Sequence, residues 1–132
     1  MTFPQGSTSP YVTVLSQDKG KIPPDAIVVA KQGTNFGFPG CFLKVGIACK
    51  GKHYGKALVS FPDHTSPMGI GAQGDTLYVA LFTRMEVDTV PVAGGKPTPF
   101  LTKFVAPVVL TNVIDGTLYA GDVTGSVYKV AL

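Results

Sequence analysis

Short apolar segments, many of them alternating or β-branched, recur along the whole chain between residues that favour turns. Nine such segments are predicted strands: Tyr11–Leu15, Ala26–Ala30, Ala57–Phe61, Met68–Ala72, Thr76–Phe82, Val87–Val92, Val105–Thr111, Thr117–Ala120 and Ser126–Leu132. Glycine, proline, aspartate or asparagine separates them, and no stretch of ten residues holds a helical period with proper caps. The pattern therefore predicts an all-β fold.

An internal repeat organises these strands. Residues 67–80 and 107–120 show the same order of features, in which an apolar strand and a tight turn precede a Thr-Leu-Tyr strand. Leu77 and Leu118 hold matching places in the two copies, 41 positions apart. A period of roughly 40–45 residues with several strands is typical of β-propeller blades. Two unrelated hairpins are the alternative, but the matched order favours blades at about 67–106 and 107–132.

The chain length allows about three blades, whereas closed propellers usually have about four to eight. We therefore predict one propeller-like domain over residues 11–132, a half-propeller, preceded by a flexible lead-in over residues 1–10. An open half-ring leaves faces and edges uncovered, which favours association. The expected partner is a second copy in a homodimer, or a missing N-terminal half of the propeller. A different closed β-fold built from the same strands is a third alternative.

Composition excludes several classes of protein. Hydrophobic residues make up 45% and charged residues 14%, which is typical of a folded globular domain. The net charge of +3 is scattered, so no nucleic-acid partner is predicted. No apolar run approaches the roughly 20 residues of a membrane helix, so no membrane association is expected. The segment Met1–Pro10 lacks the basic and apolar regions of a signal peptide.

The two cysteines, Cys41 and Cys49, are separated by seven residues. A disulfide that closes this small loop is favoured over two reduced, buried thiols, and it predicts an oxidising location, extracellular or periplasmic. Neither the ligand count nor the spacing fits zinc, and no metal site is predicted.

Few residues carry recognisable chemistry. His64 lies between Asp63 and Thr65, where the aspartate would orient the ring of a general base. A loop histidine that hydrogen-bonds turn backbone is the favoured alternative. Arg84, Glu86 and Asp88 alternate, so they share one face of a strand. That face lines a polar channel or, the favoured interpretation, is the solvated side of an outer strand. No hydrolase elbow, phosphate loop or dinucleotide fingerprint is present.

From Ile22 onward the sequence resembles the C-terminal part of the glucose/sorbosone dehydrogenase family. The most specific segment, Gly33-Thr34-Asn35-Phe36-Gly37-Phe38-Pro39-Gly40-Cys41, is similar to the family's Gly-Ala-Asn-Tyr-Gly-Trp-Pro-Tyr-Cys. Four further segments resemble family motifs in the correct order: Pro23–Val29, Asp63–Ile70, Asp75–Ala80 and Gly121–Val130. The likeness covers most of this chain and less than half of the family's domain.

The resemblance implies a six-bladed propeller and an oxidoreductase that uses pyrroloquinoline quinone (PQQ) with calcium. The family's basic residues that hold the carboxylates of the quinone correspond here to Phe82, Ala106 and Val108. A tri-anionic quinone needs fixed cations, so their loss argues against a working site. The catalytic histidine and calcium loop of the family lie upstream of the matched region.

We therefore expect a structural or ligand-binding propeller module without a competent quinone site of its own, not an enzyme, and with no cofactor. One alternative is a part of a PQQ-dependent sugar or sorbosone dehydrogenase, with PQQ and calcium. Another is a binding protein for carbohydrate or another small ligand. The candidate ligand-lining residues are Asn35, His64, Thr65, Arg84 and Asp122.

Overall fold

The computed structural model describes residues 1–16, 24–44, 53–110 and 113–132. These residues form ten strands and one short 3-10 turn, Phe42–Lys44. The strands are β1 (Tyr11–Val14), β2 (Ala26–Val29), β3 (Val59–Ser60), β4 (Pro67–Gln73), β5 (Thr76–Leu81), β6 (Glu86–Pro91), β7 (Thr98–Thr102), β8 (Pro107–Leu110), β9 (Thr117–Asp122) and β10 (Val127–Ala131). No helix in these ranges has the length and apolar character needed to cross a membrane.

The strands form three antiparallel sheets in chain order. The first sheet is β1-β2-β3, the second is β4-β5-β6-β7 and the third is β8-β9-β10. Each is a meander in which neighbours in sequence are neighbours in space. The prediction of an all-β, propeller-like segment of about three blades is confirmed.

The contact between the first and second sheets is repeated between the second and third sheets. In the second sheet β4 is the first strand and contacts β1 of the preceding sheet, and in the third sheet β8 contacts β5 in the same way. β1 therefore corresponds to β5, the second strand of the second sheet. Thr2 forms a bridge to Tyr11 on the free edge of β1, with backbone N···O distances of 3.0 and 2.8 Å. Thr2, in the predicted lead-in, thus lies where the second and third sheets have their first strand.

Two apolar layers join the three sheets. Between the first and second sheets the side chains are Tyr11, Ile27, Val59, Phe61, Ile70, Leu77, Val79, Leu81 and Val90. Between the second and third they are Tyr78, Ala80, Val87, Phe104, Leu118 and Ala120. The alternation of β5 explains this, because a strand directs successive side chains to opposite faces and β5 lies between two covered faces. Each fully buried Leu or Val contributes about 1.5–3 kcal/mol relative to exposure.

The outer face of the first sheet is covered by residues 34–44, which follow β2. Ala26 and Val28 of β2 form a third apolar cluster with Leu43, and Phe36 and Phe42 pack against it. We call residues 34–44 the capping segment. It contains a cis peptide bond between Phe38 and Pro39.

One strand was not predicted from the sequence. β7, Thr98–Thr102, contains Pro99 and follows Pro97, and prolines within a run argue against a central strand. In the structure β7 is the outer edge of the second sheet, where a missing N–H is tolerated. Among the predicted strands β3 is the most shortened, from Ala57–Phe61 to Val59–Ser60.

Candidate functional site

The strand directions divide the connecting loops between two ends of the molecule. Loops 61–66, 82–85, 103–106 and 123–126 lie together, because Phe82 N–H donates to the Ser66 carbonyl and Phe104 N–H to the Met85 carbonyl, at 3.1 and 3.2 Å. We call this the His64 end. The capping segment and the turns at 74–75 and 113–116 lie at the other end, which we call the Asn35 end.

The structure therefore separates the predicted ligand-lining residues. His64, Thr65 and Arg84 are at the His64 end of the first two sheets, and Asp122 is at the same end of the third. Asn35 lies at the opposite end, where its Oδ1 accepts a 2.7 Å hydrogen bond from Gly37 N–H. This is an Asx-type turn, so the side chain of Asn35 shapes the capping segment.

His64 and Thr65 occupy a tight turn before β4. Thr65 is buried, and both its N–H and its hydroxyl donate to the Pro62 carbonyl, at 3.3 and 2.6 Å. The hydroxyl of Thr83 donates to the His64 carbonyl, which joins this turn to the β5–β6 turn. The Thr65 hydroxyl is thus engaged within its own turn.

Glu86 and Asp88 share one face of β6, as the alternation predicted, whereas Arg84 precedes the strand in the β5–β6 turn. The preferred interpretation of a solvated face is wrong for Glu86 and Asp88, which are both buried. Their face is covered because the first sheet packs on that side of the second. Arg84 is largely exposed, and its Nε lies 2.6 Å from Oε1 of Glu86.

This arrangement buries two neighbouring carboxyl groups. Asp88 is 1% exposed, and its Oδ1 has no hydrogen-bond partner within the described residues. Burial raises the pKa of Asp88 from 3.8 to about 6, the charge of Glu86 adds to the rise, and Arg84 opposes it. Asp88 therefore changes its protonation state near pH 6, which is unusual for an aspartate.

Asp122 closes the β9–β10 turn. Its Oδ1 accepts from the N–H and hydroxyl of Thr124, at 2.9 and 2.5 Å, and its Oδ2 accepts from the hydroxyl of Tyr128 at 2.9 Å. The hydrogen bond from the Thr124 hydroxyl is the main reason that the pKa of Asp122 is lowered. The carboxylate is thus used as a local turn acceptor.

The side chains at the His64 end do not fit a tri-anionic quinone. Phe82 and Ala106 carry no charge there, and the Arg84 guanidinium is already paired with Glu86. Asp63 and Asp122 add carboxylates at the same end. Lys103 is a further cation there, on an exposed loop position, so the described residues supply fewer fixed cations than three carboxylates need. Within the described ranges there is also no group of three His, Cys, Asp or Glu residues that could hold a metal ion.

Three shallow cavities have their lining residues elsewhere. One of about 350 Å³ is lined by Asp75, Thr76, Tyr78, Thr89, Val90, Pro91, Lys96 and Thr98. Two others, of about 320 and 270 Å³, lie beside Gln73 and beside Phe36. None of the five predicted ligand-lining residues contributes to these three cavities. The sequence signal for the first cavity is Tyr78, the tyrosine of the repeated Thr-Leu-Tyr strand.

Cys41 is fully buried in the capping segment and is not a free thiol. Its predicted partner Cys49 lies outside the described residues. The pairing of the two stays a prediction.

Comparisons with known proteins leave the family open. No family model matches the chain, and no curated protein matches it. A solved structure with some similarity is that of the computationally designed Ika4 protein, with 17% identity and a TM-score of 0.46. The match covers 91% of this chain and 66% of the designed one, so the chain spans slightly less than two thirds of its length. A likeness at this level says nothing about function.

Proposed function

We propose that this chain is a structural propeller module that functions by assembly through the outer face of its third sheet. The partner we propose is a second copy. A further propeller segment of a longer polypeptide is the alternative. The module itself is not proposed as an enzyme, because the carboxylates and paired arginine at the His64 end favour no quinone site.

A comparison of Val87 with Val127 carries this proposal. Val87 is paired with Ala80, and Val127 is paired with Gly121. Gly121 lies 41 positions after Ala80, which is the period of the repeat. The two valines are therefore equivalent in successive sheets. Val87 is 0% exposed because the third sheet covers it, whereas Val127 is 72% exposed and no sheet of the described residues lies beyond it. A valine at a covered position in one repeat and an open one in the next marks an incomplete stack.

The two ends of the stack differ in a way that supports the same proposal. On the outer face of the first sheet, Leu43, Phe36 and Phe42 of the capping segment cover the β2 side chains. On the outer face of the third sheet, Val127, Lys129 and Ala131 of β10 remain exposed. Assembly through the third sheet thus buries apolar surface that the chain leaves open, at about 25 cal/mol per Å².

Size-exclusion chromatography with light scattering tests the proposal. We expect a concentration-dependent dimer mass for the native chain and a monomer for Val127→Lys, because a charge at the centre of the interface opposes burial. Met85→Lys is the matched control, since Met85 is exposed on the β5–β6 turn, away from that face. A native chain that stays monomeric at high concentration contradicts the second copy as partner, and a Val127→Lys chain that stays dimeric contradicts the outer face of the third sheet as the interface.

A disulfide between Cys41 and Cys49, and with it an extracellular or periplasmic location, forms part of this proposal. The support is that Cys41 is buried and not a free thiol. Alkylation of the unfolded protein without reductant, followed by mass measurement, tests it. No added alkyl groups are expected, and two added groups would contradict the disulfide.

A further inference from the structure

The cavity of about 350 Å³ beside Tyr78 is built within the second sheet. Cross-strand pairing places Tyr78 opposite Thr89 and Thr89 opposite Thr98, so these three side chains form one row across β5, β6 and β7. Thr76 lies two residues before Tyr78 on β5 and therefore shares its face. The floor of the cavity is thus a strip of three adjacent strands, which holds its side chains at fixed spacings.

Two turns at the Asn35 end form the rim of this cavity. Asp75 precedes β5, and its carbonyl accepts a 2.8 Å hydrogen bond from Val92 N–H, which joins the β4–β5 turn to the chain after β6. Gly94, at a φ of +88°, donates its N–H to the Pro91 carbonyl at 2.9 Å. This tight turn reverses the chain between β6 and β7, and Lys96 on its far side lines the cavity.

Asp75 and Lys96 place opposite charges on the rim. Both side chains line the cavity and both are exposed. Within the described part of the chain, no ion pair joins them to each other or to a third residue. Because these two charges do not neutralise one another, both are available to a ligand that carries one charge of each sign.

The hydroxyl of Tyr78 is an independent indication of a ligand. Tyr78 is 7% exposed, yet its hydroxyl forms no hydrogen bond within the described residues. Buried tyrosine hydroxyls usually have a partner. Burial raises the pKa of Tyr78, so the phenol keeps its proton and donates at neutral pH. Since Tyr78 lines the cavity, a molecule bound there supplies the acceptor that this hydroxyl needs.

The rest of the lining is partly apolar. Val90 and Pro91 contribute to it beside the ring of Tyr78, and the ring of Phe100 supports that ring at a centroid distance of 5.3 Å. The volume lies at the lower end of the range for small-molecule sites, which begins at about 300 Å³. A fitting ligand is therefore small and combines a positive charge, a negative charge and a short hydrocarbon part.

We propose that this cavity, the Tyr78 site, binds a free aliphatic α-amino acid. The carboxylate of the amino acid lies against the Lys96 ammonium and accepts a hydrogen bond from the Tyr78 hydroxyl. Its ammonium group lies against the Asp75 carboxylate, and its side chain packs on Pro91 and the Tyr78 ring. A neutral sugar fits less well, because it leaves the charges of Asp75 and Lys96 unused.

This site goes beyond the assembly proposed above and does not rest on it. Assembly uses the outer face of the third sheet, whereas the residues that line the Tyr78 site all belong to the second sheet and its turns. We expect Val127→Lys, which disrupts assembly, to bind the amino acid as the native chain does. The two proposals can therefore fail separately.

The probe is L-leucine, and isothermal titration calorimetry measures its binding to the native chain. Two analogues keep its hydrocarbon part and lose one charge each. 4-Methylpentanoate lacks the ammonium group, and 3-methylbutylamine lacks the carboxylate. We expect L-leucine to bind and each analogue to bind at least about fivefold more weakly. D-Glucose is the uncharged control and should not bind.

Three variants locate the bound molecule. Lys96→Gln and Asp75→Asn each remove one rim charge, and Tyr78→Phe removes the hydroxyl but keeps the ring. Each should weaken L-leucine binding at least about fivefold. Lys103→Gln is the matched control, since Lys103 is an exposed lysine at the His64 end, and it should bind as the native chain does. Circular dichroism checks that each variant is folded.

Absence of L-leucine binding at about 10 mM overturns the proposal. Equal binding of L-leucine and either analogue overturns the recognition of both charges. Equal binding by Tyr78→Phe and the native chain overturns the role of the buried hydroxyl. D-Glucose that binds where L-leucine does not overturns the amino acid as the ligand class.

Discussion

Leu77 and Leu118 hold the same position in successive sheets. Each is the second residue of the second strand of its sheet, and the two are 41 positions apart and fully buried. Leu77 packs between the first and second sheets, and Leu118 packs between the second and third. The repeat in the sequence is thus a repeat of inter-sheet contacts, in which each leucine meets the preceding sheet.

Truncation of either leucine should therefore destabilise the whole stack. We expect Leu77→Ala and Leu118→Ala each to lower the free energy of unfolding by about 2–5 kcal/mol, because a cavity replaces buried methyl groups. Urea denaturation followed by circular dichroism measures this. Val127→Ala, at the exposed position, should change it by about 0.5 kcal/mol or less. A loss below about 1 kcal/mol for Leu118→Ala would show that the third sheet does not unfold with the others.

The strands and the repeat could be predicted because both depend on local patterns. Thr-Leu-Tyr after a turn places alternate side chains on opposite faces wherever it occurs. The burial of Glu86 and Asp88 could not be predicted in the same way. Alternation shows that two residues share a face, but only the packing of the first sheet against that face decides whether it is dry.

The candidate site shows the same limit. Asn35 and His64 were grouped because of their residue types and the family resemblance. Their separation depends on the number of strands between them, since each strand carries the chain from one end of the sheets to the other. The cavity lined by Thr98 and Tyr78 was missed because β7 itself was missed, and Pro97 and Pro99 conceal that strand in the sequence.

Asp88 should make the stability of the protein depend on pH. Its pKa is about 6 in the folded chain, above the ordinary 3.8, so the folded state binds more protons between these values. Stability is therefore greatest below about pH 4 with respect to this group, and it falls as the pH rises through 6. Asp88→Asn keeps the shape without the charge. We expect it to raise the free energy of unfolding at pH 8 by on the order of 1–2 kcal/mol.

The measurement is the midpoint of thermal unfolding between pH 4.5 and 8 for both proteins. Asp88→Asn should gain more at pH 8 than at pH 4.5. Asp75→Asn is the control, since Asp75 is an exposed aspartate in the β4–β5 turn. If Asp88→Asn raises the midpoint of unfolding by the same amount at pH 4.5 and at pH 8, the pKa of the Asp88 carboxyl group is not raised in the folded protein.

The capping segment should depend on Gly37 more than on Gly33. Both have positive φ angles, of +82° and +77°, which side chains rarely adopt. A Cβ at Gly37 would lie 2.4 Å from the Cys41 carbonyl oxygen, whereas one at Gly33 would meet nothing within 4 Å. Gly33→Ala should therefore cost about 1 kcal/mol, and Gly37→Ala more than about 2 kcal/mol. Chemical denaturation compares the two, and equal losses would contradict a close-packed cap.

Asp122 should protect the third sheet against acid. Its lowered pKa means that the ionised form is favoured in the folded chain. The stabilisation is therefore present above the ordinary value and is lost as the pH falls through the folded value. Asp122→Asn should lower the midpoint of unfolding at pH 7 and flatten the loss of stability below pH 4.

Thr124→Val removes the donor that lowers the pKa of Asp122 most, and it should shift acid unfolding towards higher pH. Tyr128→Phe removes one other donor and should shift it less. If stability falls with decreasing pH in the same way in Asp122→Asn and in the native chain, protonation of this carboxylate is not what destabilises the third sheet in acid.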